Sequence, residues 1–194
     1  MISEERQKEQ YNKSGNFPRA WYFSFSSLLT ASKILYDKYP TIDCEKSIRD
    51  GTPPMPTEFM MVFGVIKMLR AMALEDLLKA LWLKGGGILV EKGKYQKIPE
   101  TNDHDLISIA DKVSGIVDCG FNAQERDLLK RLSLSITSGR YPIQSSWVKS
   151  KIQKLHGGGM GPPSGGWSFP RDEELFESLV LRLTHIFEEA DSKK

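Results

Sequence analysis

Apolar residues recur through most of this chain at the three- and four-residue spacing that places them on one face of an α-helix. The first such stretch begins near Arg19 and ends at Pro40, because a proline disfavours a helical conformation in the residue before it. Three prolines and a glycine predict that residues 41–56 form a loop. The face of this first helix comprises Phe25, Leu28, Leu29, Ser32, Leu35 and Tyr36.

The longest predicted helix covers residues 57–84. Thr57 is a suitable N-cap, Glu58 suits the first turn, and the glycines at 85–87 end the helix. Apolar side chains cover nearly its whole circumference. A helix that is apolar on all sides is usually the central helix of a bundle, and this one would be about 42 Å long.

Two helices of moderate length follow the long one. Asp103 is the predicted N-cap of a helix over 104–118. Asn122 caps the next helix, and Glu125 stands three residues later in a variant of the capping box. Gly139 ends that helix.

The remaining segments are shorter or less regular. Short β-prone pieces predict a small hairpin within 88–99. Residues 146–155 can form a short basic helix, and the glycines and prolines of 156–170 predict a flexible loop. The last helix covers 171–190 and carries acidic residues in its first turn.

These elements predict an all-α fold, an antiparallel bundle of four to five helices around one long central helix. A small β-hairpin can be inserted near 88–99. We expect residues 1–18 to be a polar, poorly tied tail that can contain one helical turn. Residues 19–194 then form a single helical domain, in which a Gly/Pro-rich loop at 156–170 precedes the C-terminal helix.

Composition agrees with one globular domain. The chain has 194 residues, of which 40% are hydrophobic and 27% charged, which excludes a wholly disordered or fibrous protein. We expect no membrane contact and a cytoplasmic location, because no apolar run reaches the roughly 18 residues of a membrane span and no signal region begins the chain. Two cysteines far apart and scattered carboxylates predict no metal site and no cofactor.

The net charge of +2 conceals an uneven distribution. Residues 126–156 contain seven basic residues and one acid, whereas residues 171–194 contain seven acids and four basic residues. The basic segment can bind phosphates, or it can pair with the acidic C-terminal helix. Both interpretations fit the sequence.

Two polar clusters with possible chemistry precede the basic segment. Glu75 and Lys79 stand four residues apart in the favourable order for an ion pair. On so apolar a helix this pair can be partly buried, either as a structural pair or as part of a polar pocket. His104 and Asp105 stand where a loop enters a helix, and a histidine there can be a donor, a base, a ligand or simply a packed side chain.

The third cluster is Arg140 and Tyr141, directly after the predicted end of a helix. Pro142 follows them and turns the chain. The guanidinium of Arg140 can pair with a carboxylate such as Asp105 or Glu75, or it can bind a phosphate.

Together, and in this order, the three clusters resemble the HEPN superfamily (higher eukaryotes and prokaryotes nucleotide-binding domain). The resemblance consists of a long helix with an Ala-x-Glu-x-x-x-Lys-Ala-Leu motif, a loop to His-Asp-Leu, and a helix pair that ends in Arg-Tyr-Pro. The matching residues are Ala73, Glu75, Lys79, Ala80, Leu81, His104, Asp105, Leu106, Arg140, Tyr141 and Pro142.

The resemblance implies a helical bundle that often forms a homodimer. Members include ribonucleases of toxin–antitoxin, CRISPR and anti-phage systems, and non-catalytic partners of nucleotidyltransferases. It therefore implies an accessory domain that binds RNA, a nucleotide or a protein partner. The candidate ligand-binding pocket comprises Glu75, Lys79, His104, Asp105, Arg140 and Tyr141.

The ribonuclease branch of the family carries an arginine followed, after four to six residues, by a histidine. None of the three histidines here has an arginine at that spacing, and Arg182 and His185 are separated by two residues only. This departure favours a domain without chemistry of its own. Two alternatives stay open: a metal-independent ribonuclease with His104 as acid or base and Arg140 as charge stabiliser, and a purely structural or interaction protein.

Overall fold

The computed structural model describes residues 3–38, 57–140, 153–154, 160–161 and 167–189, and within 57–61, 137–140 and the two short strands at 153–154 and 160–161 it describes the backbone only. Helices dominate these ranges, with two short antiparallel hairpins beside them. In chain order the elements are α1 (Glu4–Gly15), α2 (Pro18–Lys38), α3 (Thr57–Lys84), β1 (Val90–Glu91), β2 (Lys94–Tyr95), α4 (Leu106–Ser114), α5 (Ala123–Arg140), β3 (Gln153–Lys154), β4 (Met160–Gly161) and α6 (Arg171–Glu189).

Helix α3 is the centre of the bundle, because it packs against α2, α4, α5 and α6. Its apolar residues are buried on several sides, as the absence of a polar face in the sequence predicted. The predicted all-α bundle around one long central helix is confirmed. Fully buried core residues of α3 are Ile66, Ala71, Ala73, Leu74, Leu77, Leu78, Ala80 and Leu81.

Local capping explains where α5 begins. The side-chain oxygen of Asn122 accepts hydrogen bonds from the backbone N–H groups of Gln124 and Glu125 at 2.9 Å each. The Glu125 carboxylate in turn accepts from the Asn122 backbone N–H at 2.9 Å. The predicted capping box is therefore confirmed.

The helix after the long loop begins later than predicted. Asp105, and not Asp103, is the N-cap of α4, since the Asp105 carboxylate accepts from the backbone N–H groups of Ile107 and Ser108. His104 has a φ of 68°, which excludes it from a right-handed helix. The predicted start at 104 was therefore wrong by two residues.

The predicted hairpin is formed by β1 and β2, with Val90 opposite Tyr95. The two residues of its turn, Lys92 and Gly93, have φ values of 52° and 76°. Positive φ at both positions is typical of a type I′ turn, which matches the twist of the strands.

The N-terminal residues form a longer helix than the single turn expected, and α1 packs on this hairpin. Asn16, after the end of α1, donates to the carbonyl of Val90 at 2.6 Å and accepts from the N–H groups of Leu89 and Val90 at 2.8 and 2.9 Å. Asn12 accepts from the N–H of Gly93 at 2.8 Å. These polar contacts hold α1, although none of its residues is buried.

We expect the Asn16→Ala variant to lose about 1–3 kcal/mol of unfolding free energy, because it leaves partly buried backbone groups of the hairpin without partners. Amide hydrogen exchange at Leu89 and Val90 should accelerate. Asn12→Ala, which removes a single bond to the hairpin, is the matched control and should have a smaller effect. Equal effects of the two variants would contradict this account.

Two buried ion pairs join α6 to the rest of the bundle. The guanidinium of Arg131 on α5 donates to both carboxylate oxygens of Asp172 at 2.6 and 3.0 Å. Arg70 on α3 makes the same two-point contact with Glu173 at 2.7 and 2.6 Å. Within the described part of the chain, the basic segment and the acidic C-terminal helix thus pair through Arg131 and Asp172, which agrees with one of the two sequence interpretations.

The predicted basic helix over 146–155 is wrong at its C-terminal end. Gln153 pairs with Gly161 and Lys154 with Met160 in an antiparallel ladder, so these residues make cross-strand contacts. Residues 146–152 and 155 lie outside the described residues. Across the ranges that the structure covers, no helix combines the length and apolar composition needed to cross a bilayer.

Candidate functional site

A buried carboxylate, Glu75, joins two of the three predicted clusters. One of its oxygens accepts from the Lys79 ammonium at 2.7 Å, and the other lies 2.8 Å from Nδ1 of His104. Glu75 is only 4% exposed and Lys79 only 8%. Residues that are 29 positions apart in the sequence, Glu75 and His104, are therefore in direct contact.

Local structure positions each of these groups. Glu75 and Lys79 lie one turn apart on α3, so their side chains share a face. His104 directly precedes the N-cap of α4 and has a left-handed backbone conformation, which is uncommon outside glycine although histidine adopts it more readily than most residues. Such conformations persist where surrounding contacts hold them, and here Glu75 holds the ring.

The electrostatics keep the Glu75–Lys79 pair ionised. Burial raises the pKa of Glu75, but the Lys79 ammonium and His104 more than offset it, and the pKa of this carboxyl lies below its ordinary value. Burial lowers the pKa of Lys79, but the Glu75 carboxylate and Tyr95 raise it above its ordinary value. Both groups are therefore charged near neutral pH.

Two aromatic residues that the sequence did not single out complete the surroundings of Lys79. Its ammonium lies 4.9 Å from the ring centre of Trp21 and 5.4 Å from that of Tyr95, both within cation–π range. Tyr95 comes from the hairpin and Trp21 from α2. Their spacing in the sequence holds no signal for this contact, which depends on how α2 and the hairpin pack against α3.

His104 opens onto a cavity of about 550 Å³. The histidine side chain is 36% exposed, in contrast to Glu75 behind it. Lys130 of α5 lines the same cavity and is exposed. Lys130 was missed as a site residue, although its place in the basic segment 126–156 was a usable signal. The cavity is lined by Asn102, Asp103, His104, Asp105, Lys130, Ser133 and Leu134.

Asp105 lines this cavity while it caps α4. Ser133 also lines the cavity, and its hydroxyl accepts from the Leu106 N–H at 2.9 Å. The first N–H groups of α4 therefore already have partners. An anion in the cavity would be bound by side chains and not by this helix terminus.

Arg140 and Tyr141 are the remaining predicted site residues. Arg140 is the last residue of α5, seven residues beyond Ser133, which is about 10 Å further along the helix axis. The side chain of Arg140 and the whole of Tyr141 lie outside the described residues. Their part in the pocket stays a prediction.

The arrangement supports two kinds of role. A carboxylate bound at Nδ1 fixes the orientation of an imidazole, which suits a histidine that binds a ligand or transfers a proton. The burial of Glu75 and Lys79 with each other as partners also suits a structural pair. Among the described residues, no group of three or more His, Cys, Asp or Glu side chains is placed to hold a metal ion.

The other histidine and arginine considered in the sequence lie elsewhere. His185 is exposed on α6, and its Nε2 contacts Glu189 at 3.1 Å. Arg182 donates to Glu125 at 2.6 Å and to the carbonyl of Cys119, so it bridges α6 and the start of α5. Comparison of the chain with protein-family models, with curated proteins and with solved structures found no match.

Proposed function

We propose that this chain is a cytoplasmic HEPN-like binding domain, without chemistry of its own, that takes a phosphate group of RNA or of a nucleotide in the His104 cavity. The contact between Glu75 and His104 at the edge of an open cavity carries this proposal. Two motifs that are distant in the sequence meet at a site that a ligand can reach. A purely structural ion pair would not require such an opening.

The fold and the motif positions support the family part of the proposal. The Glu75 motif lies on the long central helix, and the His-Asp-Leu motif lies at the start of the helix that follows the loop. Both positions agree with what the resemblance implies. The 2.8 Å contact between the Glu75 carboxylate and Nδ1 of His104 brings the two motifs together in one site.

The charges around the cavity favour a ligand with few negative charges. Lys130 and His104 can donate to phosphate oxygens. Asp103 and Asp105 line the same cavity and would repel a highly charged anion. One backbone phosphate of RNA, or the phosphate of a mononucleotide, therefore fits better than a triphosphate.

Binding of a labelled single-stranded RNA, measured at several salt concentrations, tests this function. We expect His104→Ala and Lys130→Ala each to weaken binding at least about tenfold, because each removes a hydrogen bond to a charged group. His185→Ala and Lys33→Ala remove the same residue types from exposed positions away from the cavity and should leave binding unchanged. Equal losses in all four variants would indicate only non-specific charge attraction and would contradict the proposal.

The ordered imidazole also favours a second candidate, the metal-independent ribonuclease. In the same assay with EDTA present, RNA cleavage by the wild-type chain that is lost in His104→Ala and in Arg140→Ala would establish this activity. Binding without cleavage would support the accessory domain. If RNA is neither bound nor cut, both RNA functions are wrong and Glu75 serves the fold.

A further inference from the structure

A second cavity, of about 470 Å³, lies between α1, α2 and the hairpin, and its wall includes the Trp21 and Tyr95 rings that Lys79 contacts. Three aromatic residues, Tyr11, Trp21 and Tyr95, contribute to its wall. Tyr11 and Tyr95 are 50% and 40% exposed, so their rings are accessible from solvent. The cavity is lined by Tyr11, Ser14, Gly15, Ala20, Trp21, Ser24, Val90 and Tyr95.

A hydrogen bond and ring packing hold two of the rings that line this cavity, Trp21 and Tyr95. The indole N–H of Trp21 donates to the carbonyl of Gly15 at 2.9 Å. The rings of Trp21 and Tyr95 lie 6.3 Å apart with an interplanar angle of 37°. Aromatic rings held in place before binding lose little conformational entropy when a flat ligand stacks on them.

The charge next to the rings determines which flat ligand fits. Lys79 already places a cation 4.9 and 5.4 Å from the Trp21 and Tyr95 ring centres. A second cation, such as a methylated ammonium group, would find the cation–π position on these rings already filled by Lys79. A neutral aromatic ring with hydrogen-bonding edges suits these surroundings.

The cavity also offers a polar group to the edge of such a ring. Ser24 donates its hydroxyl proton to a carboxylate oxygen of Asp76 at 2.6 Å. Because that proton is committed, the Ser24 oxygen can accept a hydrogen bond from an exocyclic amino group. Recognition of a flat ring by stacking, with one such polar contact, is typical of nucleobase binding.

Lys79 links this aromatic cavity to the proposed phosphate site. Its ammonium contacts both the Tyr95 ring and the Glu75 carboxylate, and Glu75 contacts His104. We propose that the Tyr11–Trp21–Tyr95 cavity stacks a nucleobase of a single-stranded RNA whose backbone phosphate is bound at His104 and Lys130. This inference rests on the proposed function and extends it from phosphate binding to base binding.

The test compares two ligands on the full chain: a single-stranded oligoadenylate, and an abasic oligomer of the same length that has the same phosphodiester backbone but no bases. We expect Tyr11→Ala and Tyr95→Ala to weaken oligoadenylate binding about tenfold each and to leave binding of the abasic oligomer unchanged, because stacking needs a base. Tyr95→Phe keeps the ring and should bind oligoadenylate like wild type. His104→Ala and Lys130→Ala should weaken binding of both ligands.

Phe23→Ala is the matched control, since Phe23 is a highly exposed aromatic residue that does not line the cavity. Tyr11 lies on a helix without buried residues, so its replacement keeps the test valid if Tyr95→Ala unfolds the hairpin. Tyrosine variants that bind oligoadenylate like wild type would overturn base stacking and leave the phosphate site intact. Tyrosine variants that lose both ligands equally would also overturn base stacking, because the tyrosines would then serve the fold and not a base. A wild-type chain that binds neither ligand would contradict the proposed function itself.

Discussion

Asp172→Ala is expected to lower the free energy of unfolding by about 3–5 kcal/mol, the cost of removing one partner from a buried ion pair. The Asp172 side chain is 2% exposed, and it accepts two hydrogen bonds from Arg131 and one from the backbone N–H of Ser168 at 2.7 Å. Its loss leaves the Arg131 guanidinium buried with too few acceptors. Chemical denaturation followed by circular dichroism measures the change.

Asp127 provides the control for this prediction. It contacts the same guanidinium, with 2.9 Å to Nε of Arg131, but its side chain is 48% exposed. Water can replace that carboxylate, so Asp127→Ala should cost no more than about 1 kcal/mol. If the two variants are equally destabilised, burial does not determine the strength of this network.

Replacing both partners separates the cost of a lone charge from the value of the pair. We expect a variant with Arg131→Met and Asp172→Leu to recover most of the stability that Asp172→Ala loses, because neither buried charge is left alone. A double variant as unstable as the single one would indicate that the ion pair itself, including its contact with Ser168, orders the start of α6.

Glu75→Ala is the second change for which we expect a loss of about 3–5 kcal/mol, since Lys79 would remain as a buried cation without its carboxylate. The loss should depend on pH. The folded-state pKa of Glu75 lies below its ordinary value of 4.5, because the effects of Lys79 and His104 exceed that of burial. The stabilisation is therefore complete above about pH 4.5 and is lost as the pH falls through the folded-state pKa.

Glu75→Gln removes the charge but keeps the volume of the side chain. It therefore measures this pH dependence without leaving a void in the core. The difference in unfolding free energy between wild type and Glu75→Gln should be largest near neutral pH and shrink below about pH 4.5. Denaturation curves between pH 3 and 7 measure this difference. A difference that stays constant over this range would mean that the Glu75 charge does not contribute to stability.

The contribution of the neighbouring Asp76 carboxyl group to stability should change with pH in the opposite direction. Burial raises its pKa above the ordinary value of 3.8, even though Ser24 and Lys79 act against this. A raised folded-state pKa contributes stability at low pH that is lost as the pH rises through that value. Relative to Asp76→Asn, wild type should thus gain stability as the pH falls, and a parallel response of the two sites would contradict their assigned environments.

The sequence by itself determined the class of the fold and most of its elements, although it missed the full length of α1 and the strands β3 and β4. The bounds of α3, the hairpin around Lys92 and Gly93, and the capping box at Asn122 all follow from interactions within a few residues. The apolar circumference of α3 was sufficient to predict its central place. Even local rules failed where two candidates stood close together, since the choice of Asp105 over Asp103 as N-cap depends on the left-handed conformation of His104.

Only the tertiary structure decided which charged and aromatic groups meet. Glu75 and His104 are 29 residues apart, and Arg131 and Asp172 are 41 residues apart. Lys130 lines the His104 cavity and Tyr95 contacts Lys79 because α5 and the hairpin pack around α3. Helical periodicity and capping report on neighbours along the chain, whereas the partner of a buried charge depends on how helices that are distant in sequence pack together.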